Sequence, residues 1–460
     1  MSVVNNPKNQ PWPILDESDS TEAQQGAELE CQPYFMDISK LPPDQQQHLR
    51  QTGLLGPEGV DVHLLKEKHA EYLSQVWKTP LKHPFVSLDA SRPWMLYWCL
   101  HGCDLLGNFP PDEYRTGMVL TLEKLWKSTS VSLPNISKED EDSLLVLTTS
   151  TSTSTSSTDL TYEAGGFGGG PGQMAHAATS YAAILSLCII ASSDNSSKSS
   201  KLAYDLLERI RSPLYAWFLS LQQPNGGYRM HHDGEIDVRA SYTIFCCAKL
   251  LNLVTSNLCH DQVIDYIASC QTYEGGLGGE PFTEAHGGYA YCGVSALKLV
   301  NRMDALDTDA LTGWLARRQM SYEGGFAGRS NKLVDGCYSF WQGGAMAIAS
   351  SLYDKGHQGS QEDPWLTGSP PTNLLFDAPM LERYILLCAQ DVHGGLRDKP
   401  SKSRDFYHSC YNLSGLSVAQ HYSSGDEGYG DPSASKVLQT HPCYNIRVDR
   451  VQTILKHFAS

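Results

Sequence analysis

The chain has 460 residues, of which 41% are hydrophobic, enough for a sizeable buried core. Its formal net charge of −16 argues against a nucleic-acid partner, because neutralising phosphates requires clustered lysine and arginine. The 13 cysteines are an odd number, and several stand in apolar stretches where cysteine acts as a small buried hydrophobe. With no signal peptide and no apolar run of about 18 residues, the sequence predicts a reduced cytoplasmic protein without a membrane span.

Residues 1–30 are polar and lack hydrophobic periodicity, which predicts a disordered N-terminal segment. Residues 31–460 are expected to form a single domain with polar insertions near 129–163, 354–377 and 423–436. The first insertion contains a run of serine and threonine between Thr148 and Thr158. We expect the first two insertions to form loops that extend away from the domain.

Two sets of helices are predicted to alternate along the chain. The amphipathic set, with one apolar stripe, comprises 117–128, 203–222, 261–271, 309–320, 378–390 and 448–458. The second set, apolar on nearly every face and therefore buried, comprises 92–105, 178–191, 240–254, 288–300, 337–353 and 409–422. Six inner and six outer helices indicate an all-α fold, an α/α toroid. An open solenoid is the alternative, and it is disfavoured because it would expose one face of each inner helix.

A Gly-Gly pair marks each repeat. The pairs open at Gly165, Gly226, Gly275, Gly324 and Gly394. They are predicted to form the turns between outer and inner helices, where glycine supplies a positive φ. Eleven residues after each opening glycine stand His176, Asp237, His286, Asp335 and Asp405. A constant offset in a repeat architecture predicts that these side chains lie at one mouth of the ring, beside helix N-termini that favour anions.

Asp335, Cys337 and His408 are candidate metal ligands. Two of them begin one predicted inner helix and the third begins the next. Three protein ligands with an open fourth position are typical of catalytic zinc. Alternatively, Cys337 packs in the core and Asp335 caps its helix, and capping is the favoured role for Asp237 and Asp405.

Two further sets of residues point to a ligand site. His286, Arg329, Lys332 and Tyr338 cluster near the predicted mouth of an acidic protein, which suggests polyphosphate binding, although a solvated loop of charges is the alternative. Aromatic residues recur along the inner helices. They either fill the axis of the ring or line a cavity for a long apolar ligand.

Four segments resemble the β subunits of protein prenyltransferases. They are Gly165–Gln173 (GGFGGGPGQ), Glu284–Tyr289 (EAHGGY), Gly328–Trp341 (GRSNKLVDGCYSFW) and Asp398–His408 (DKPSKSRDFYH). The likeness covers roughly 60–460 outside the insertions. The insertions near 129–163 and 354–377 depart from the family pattern without touching these motifs.

The resemblance implies a role for each candidate residue. It implies one zinc ion held by Asp335, Cys337 and His408, and a magnesium dependence associated with Asp398. It implies diphosphate binding by His286, Arg329, Lys332 and Tyr338. It implies an isoprenoid and peptide pocket formed by Trp94, Trp98, Arg239, Tyr289, Trp341, Tyr407 and Tyr411. It implies that the C-terminus of a peptide substrate is held by His176, Glu235 and Arg239.

The activity implied by the resemblance is zinc-dependent transfer of farnesyl from farnesyl diphosphate to the cysteine thiol of proteins that end in C-a-a-X. The partner it implies is a prenyltransferase α subunit in an obligate heterodimer. Trp94 and Tyr411 match bulky residues that shorten the family cavity to farnesyl length, and Asp398 stands where geranylgeranyl-using relatives carry lysine. A geranylgeranyl-transferring β subunit of type I and a non-catalytic toroidal scaffold remain the alternatives.

Overall fold

The computed structural model describes residues 18–35, 42–51, 62–81, 83–133, 146–151, 158–353, 363–368, 374–422, 429 and 432–459. Helices α1 (Asp19–Cys31) and α2 (Pro43–Gln51) come first in the chain. The inner helices are α4 (Arg92–Leu105), α6 (Ala177–Ala191), α8 (Val238–Leu250), α10 (Gly287–Leu299), α12 (Tyr338–Tyr353) and α14 (Phe406–His421). The outer helices are α3 (Lys66–Lys78), α5 (Asp112–Leu125), α7 (Lys198–Ser220), α9 (Asp261–Ser269), α11 (Thr308–Ala316) and α13 (Ala378–Tyr384).

The remaining elements are shorter. A π-helical turn at Ile385–Ala389 continues α13, and 3-10 turns lie at Gln32–Phe35, His83–Ser91 and Met303–Ala305. The strands are β1 (Trp126–Ser132), β2 (Val146–Thr151) and β3 (Thr158–Phe167). The chain ends with α15 (Pro432–Ser435) and α16 (Val448–Phe458). Across these described elements, no helix is long and apolar enough to cross a bilayer.

The inner helices form a closed ring. Each packs against the next in chain order, and α14 packs back against α4. Side chains on every face of these helices are buried, as in α6, where the sequence from Ala177 to Ala191 is almost wholly apolar. The α/α toroid is therefore confirmed, and closure of the ring excludes the open solenoid.

The sixth outer helix differs from the prediction. Helix α3 packs against α4, whereas the predicted outer helix 448–458 is α16, which packs against the inner helices α6 and α8. The turn at Gly394 shows how α3 completes the ring, because a Cβ on this glycine would overlap the backbone oxygen of Lys68. The outer helix at the start of the chain thus lies beside the last repeat.

Four of the five Gly-Gly pairs form the predicted turns. The opening glycine has a positive φ at Gly226, Gly275, Gly324 and Gly394. In each case a Cβ would overlap a backbone oxygen of the next outer helix, so glycine allows both the dihedral angle and the close approach. The pair at Gly165 is an exception, because it lies in β3, with Gly165 opposite Ser128.

The first insertion forms a sheet rather than the predicted loop. Strands β1, β3 and β2 are antiparallel in that order, which fits the threonine and valine content of this stretch. Val131 and Tyr162 are buried against the main core. The base of the insertion is therefore part of the domain packing, while residues 134–145 and 152–157 lie outside the described residues.

The other polar segments also contain buried contacts. In the second insertion, Trp365 is buried and Asp363 lies 3.1 Å from His441 Nε2, so this part does not extend outward. Residues 354–362 and 369–373 of this insertion lie outside the described residues. In the third insertion the described parts are residue 429 and, from 432 onwards, α15.

The prediction of disorder is wrong for residues 19–30, which lie in helix α1. Ala27 and Cys31 are buried, and Gln24 Nε2 donates to Glu323 Oε1 across 2.9 Å. Glu30 accepts a hydrogen bond of 2.9 Å from Ser401. Contacts with residues 299 and 371 positions away stabilise a helix that has little hydrophobic periodicity of its own. Residues 1–17 lie outside the described residues.

One end of the ring is closed by the segment 440–447. The hydroxyls of Tyr97, Tyr242 and Tyr291, from three inner helices, donate to backbone oxygens of Asn445, Cys443 and Pro442 over 2.7, 2.9 and 2.8 Å. This segment and α16 also contact the C-terminal ends of inner helices, as in the bond from Asn252 to Phe458. The opposite mouth, at the inner-helix N-termini, carries the candidate site.

Candidate active site

The constant offset behind each Gly-Gly pair places a capping residue at the start of five of the six inner helices, all except α4. Each of these five side chains accepts a hydrogen bond from a backbone N–H two or three residues further on, over 2.7–3.1 Å. They are His176, Asp237, His286, Asp335 and Asp405. The capping roles predicted for Asp237 and Asp405 are therefore confirmed. Because capping occupies one side-chain atom, the other polar atoms of these residues are left to face the mouth of the ring.

Asp335, Cys337 and His408 lie together at the starts of α12 and α14. One potential ligand atom from each residue lies within 4.8 Å of the other two, and His408 Nε2 is 3.2 Å from Asp335 Oδ1. Cys337 is buried and the other two are half-buried. One sulfur, one imidazole nitrogen and one carboxylate oxygen are suitable ligands for zinc, with room for a fourth. The donor set therefore fits this metal.

Asp405 holds the imidazole of His408 in place. Its Oδ2 lies 2.6 Å from His408 Nδ1, while its Oδ1 accepts the His408 backbone N–H over 2.7 Å. A carboxylate on the far nitrogen fixes the ring orientation and leaves Nε2 to face a metal ion. The sequence interpretation gave Asp405 only a capping role. The spacing of three residues before a candidate ligand was the signal for the second role.

Each of the three candidate metal ligands has its pKa shifted by its neighbours in this cluster. Burial disfavours the imidazolium, but hydrogen bonds to Asp335 and Asp405 outweigh it and raise the pKa of His408 to about 10. Burial alone would raise the pKa of Asp335, yet the hydrogen bond and charge of His408 hold that pKa below its usual value. Burial and Asp335 raise the pKa of the Cys337 thiol. Metal binding here must therefore release protons.

His286, Tyr338 and Arg329 meet next to the metal-ligand cluster. The Tyr338 hydroxyl lies 3.0 Å from His286 Nε2, and His286 Nδ1 accepts the backbone N–H of Gly288 over 3.1 Å. Burial, followed by the charge of Arg329, lowers the pKa of His286, which favours a neutral ring with its proton on Nε2. Lys332 is exposed on the same loop as Arg329. The structure thus brings together His286, Tyr338 and Arg329 from the predicted set, while Lys332 is three residues along the chain from Arg329.

Asp398 lies near the metal ligands but already has a cationic partner. Lys399 Nζ is 2.6 and 2.7 Å from its two carboxylate oxygens. Burial and the charge of Asp335 nevertheless raise the pKa of Asp398. The pairing with Lys399 was not predicted, and a magnesium ion at Asp398 would have to compete with it.

An aromatic strip connects three inner helices. Trp94 and Trp98 stack with ring centroids 5.5 Å apart, and Trp98 lies 5.5 Å from Tyr407. Trp341 Nε1 donates to the Tyr407 hydroxyl over 3.1 Å, and the ring centroids of Trp341 and Tyr411 lie 4.2 Å apart. Tyr411 is buried, whereas the other four are half-buried. Five of the six predicted pocket aromatics are therefore contiguous, all except Tyr289, and they begin beside the metal-ligand cluster at Tyr407.

Arg239 connects the remaining predicted residues to this site. Its guanidinium donates to Asp237 and, over 3.2 Å, to Glu235, and it lies 5.7 Å from the ring centroid of Tyr289. His176 packs against His231, which the sequence interpretation missed, with ring centroids 5.2 Å apart. Burial, followed by the charge of His231, lowers the pKa of His176. Tyr289 packs on His286, so this cluster adjoins the basic and phenolic residues.

Comparisons with known proteins identify relatives over most of the chain. Residues 64–446 match the model of the prenyltransferase alpha-alpha toroid domain. The chain is 36% identical to the protein farnesyltransferase subunit beta of Pisum sativum over 426 residues, covering 80% of this chain and 89% of that one. It is 37% identical to the same subunit of Schizosaccharomyces pombe over 402 residues, covering 86% and 90%.

Relatives with a different named specificity are more distant. The geranylgeranyl transferase type-1 subunit beta of Arabidopsis thaliana is 28% identical over 259 residues, covering 53% of this chain and 59% of that one. A solved structure, titled Candida albicans protein geranylgeranyltransferase-I complexed with GGPP, superposes with a TM-score of 0.61 at 19% identity, covering 86% of this chain and 100% of that one. That likeness concerns the fold. The chain therefore belongs to the prenyltransferase α/α-toroid family, in which its relatives include the protein farnesyltransferase β subunits.

Proposed function

We propose that this chain is the catalytic β subunit of a zinc-dependent protein farnesyltransferase, which transfers farnesyl from farnesyl diphosphate to a cysteine thiol near the C-terminus of C-a-a-X proteins. The observation that carries the proposal is the position of Asp335, Cys337 and His408 between an aromatic strip and a cluster of basic and phenolic residues. Thiol transfer requires these three environments side by side: one for the thiol, one for the isoprenoid and one for the diphosphate.

Asp335, Cys337 and His408 would hold the zinc ion, which when bound stabilises the thiolate form of a substrate cysteine. The half-buried aromatic strip then holds the isoprenoid chain next to this point and excludes water. Trp94 and Tyr411 supply the bulk that favours the farnesyl length. His176, Glu235 and Arg239 would position the C-terminus of the peptide.

Breaking the bond to the leaving group places negative charge on the diphosphate. The neutral His286 donates its Nε2 proton to the Tyr338 oxygen, which leaves the Tyr338 hydroxyl proton to donate to the diphosphate, and Arg329 and Lys332 supply positive charge. A magnesium ion associated with Asp398 would add to this stabilisation. We further propose that an α subunit completes the enzyme as an obligate heterodimer, since the named relatives are subunits.

A geranylgeranyl-transferring β subunit is the second candidate, favoured by the relative from Arabidopsis thaliana. The test is to co-express the chain with a prenyltransferase α subunit, measure zinc content, and assay one C-a-a-X peptide with farnesyl and geranylgeranyl diphosphates at equal concentrations. We expect one zinc per heterodimer and a clear preference for the farnesyl donor. A preference for geranylgeranyl would support the second candidate, and a complex without zinc and activity would support a scaffold.

A further inference from the structure

Arg329 is held by a carboxylate from the neighbouring loop at the mouth. Its Nη1 donates to Glu284 Oε2 over 2.6 Å, and both side chains are partly exposed, at 39% and 49%. Glu284 was not among the candidate site residues, although it lies two positions before His286. The guanidinium assigned to the diphosphate therefore has an anionic partner before any ligand arrives.

The surrounding backbone keeps these two residues opposite one another. The backbone N–H of Gly287 donates to the carbonyl oxygen of Gly328 over 2.7 Å, directly between the two loops. The Tyr338 hydroxyl contacts His286 Nε2, and a Cβ at Gly328 would overlap the Tyr338 ring, so glycine is needed for this contact. These two contacts hold the loops that carry Glu284 and Arg329, so the ion pair is fixed by the backbone as well as by its own attraction.

We infer that Glu284 competes with the diphosphate for Arg329, and that its charge weakens the binding of inorganic pyrophosphate and so favours release of this product. The inference rests on the proposed function, because it assigns the diphosphate to Arg329. A carboxylate this close must either move away when the diphosphate binds or remain and repel it. In both cases binding is weaker than it would be to an unpaired guanidinium.

The effect is expected to be moderate. The pair is partly exposed, and ion pairs of this kind contribute up to about 1 kcal/mol, which corresponds to several-fold in affinity. The interaction should also weaken with rising salt, since exposed charges are screened. Glu284 touches Arg329 and not the reacting atoms, so it is a positioning residue.

The test uses the heterodimer with inorganic pyrophosphate as the probe, measured by calorimetric titration. Glu284→Gln keeps the size of the side chain but removes its charge, and we expect pyrophosphate to bind roughly two- to fivefold more tightly. Consistent with the limit of about 1 kcal/mol, this gain should not exceed about fivefold, should shrink at high salt and should disappear when Arg329→Gln is added. Glu280→Gln, in the same loop and also exposed, is the matched control and should behave as the parent protein.

The outcomes distinguish competition by Glu284 from the assignment of the diphosphate to Arg329. If Arg329→Gln weakens pyrophosphate binding but Glu284→Gln leaves it unchanged or weaker, the competition is overturned while the diphosphate assignment stands. If the parent protein fails to bind pyrophosphate, or if Arg329→Gln has no effect, the assignment of the diphosphate to Arg329 falls and the inference falls with it.

Discussion

The two ends of the ring each contain an aspartate with close polar partners, but the burial and the partners of these two aspartates differ. At the closed end, the carboxylate of Asp104 is fully buried and receives Nη1 of Arg447 and Nη2 of Arg450, each over 2.9 Å. At the mouth, Asp335 is met by the imidazole of His408 and the thiol of Cys337. The charge of Asp104 is neutralised by two arginines, whereas Asp335 lies beside two other candidate metal ligands.

This difference distinguishes a structural charge from a functional one. A buried carboxylate is strongly unfavourable unless it is paired, and two guanidinium groups provide that pairing at the closed end without any ligand. At the mouth the residues become complementary to a divalent cation only when Cys337 and His408 lose protons. The closed end should therefore control folding stability, and the mouth should control metal retention.

The largest expected effect concerns the cysteines of the two ends. Replacing Cys337 with alanine removes the sulfur ligand and should abolish both zinc retention and farnesyl transfer. Cys443, buried in the segment that closes the other end, provides the matched control, because Cys443→Ala should keep its zinc. Zinc content by mass spectrometry and a peptide-transfer assay measure both results. Full zinc stoichiometry in Cys337→Ala would refute the ligand assignment.

The next effect concerns stability at the closed end. Arg450→Met leaves Asp104 with Arg447 alone, and the free energy of unfolding should fall by about 3 kcal/mol, the lower range for breaking a buried ion pair. Zinc content should not change. Arg447→Met should cost less, because that side chain is more exposed and also pairs with Asp449 at the surface. Denaturant titration measures both, and equal stability of Arg450→Met and the parent would contradict this account.

The smallest of these effects distinguishes the two roles of Asp405, which are to cap α14 and to orient the candidate ligand His408. Asp405→Asn weakens the hydrogen bond that orients His408, so zinc affinity should fall roughly 10–100-fold. Asp237 caps the start of α8 in the same way but lies in the Arg239 cluster, so Asp237→Asn should leave zinc affinity unchanged. Competition with a chelator measures the affinities. Similar losses in the two variants would mean that only the helix cap matters.

Some features of the two ends could be predicted from the local sequence, and others could not. The apolar and amphipathic periods identified the six inner helices and five of the six outer helices, since a helix records its own buried face in its sequence. The offset behind each glycine pair also identified the capping residues, because capping involves only neighbouring backbone. The pairing of Asp104 with Arg450, by contrast, joins residues 346 positions apart and had no local signal.

By itself, the sequence determined a ring of alternating helices with positive-φ glycine turns and with Asp335, Cys337 and His408 at the starts of inner helices. Only the tertiary structure decided that α3 completes the outer layer, that 126–167 contains a sheet, that α1 is ordered, and that Asp405 and Glu284 contact His408 and Arg329. The physical reason is that periodicity and capping depend on neighbours in sequence, whereas ring closure brings together groups hundreds of residues apart.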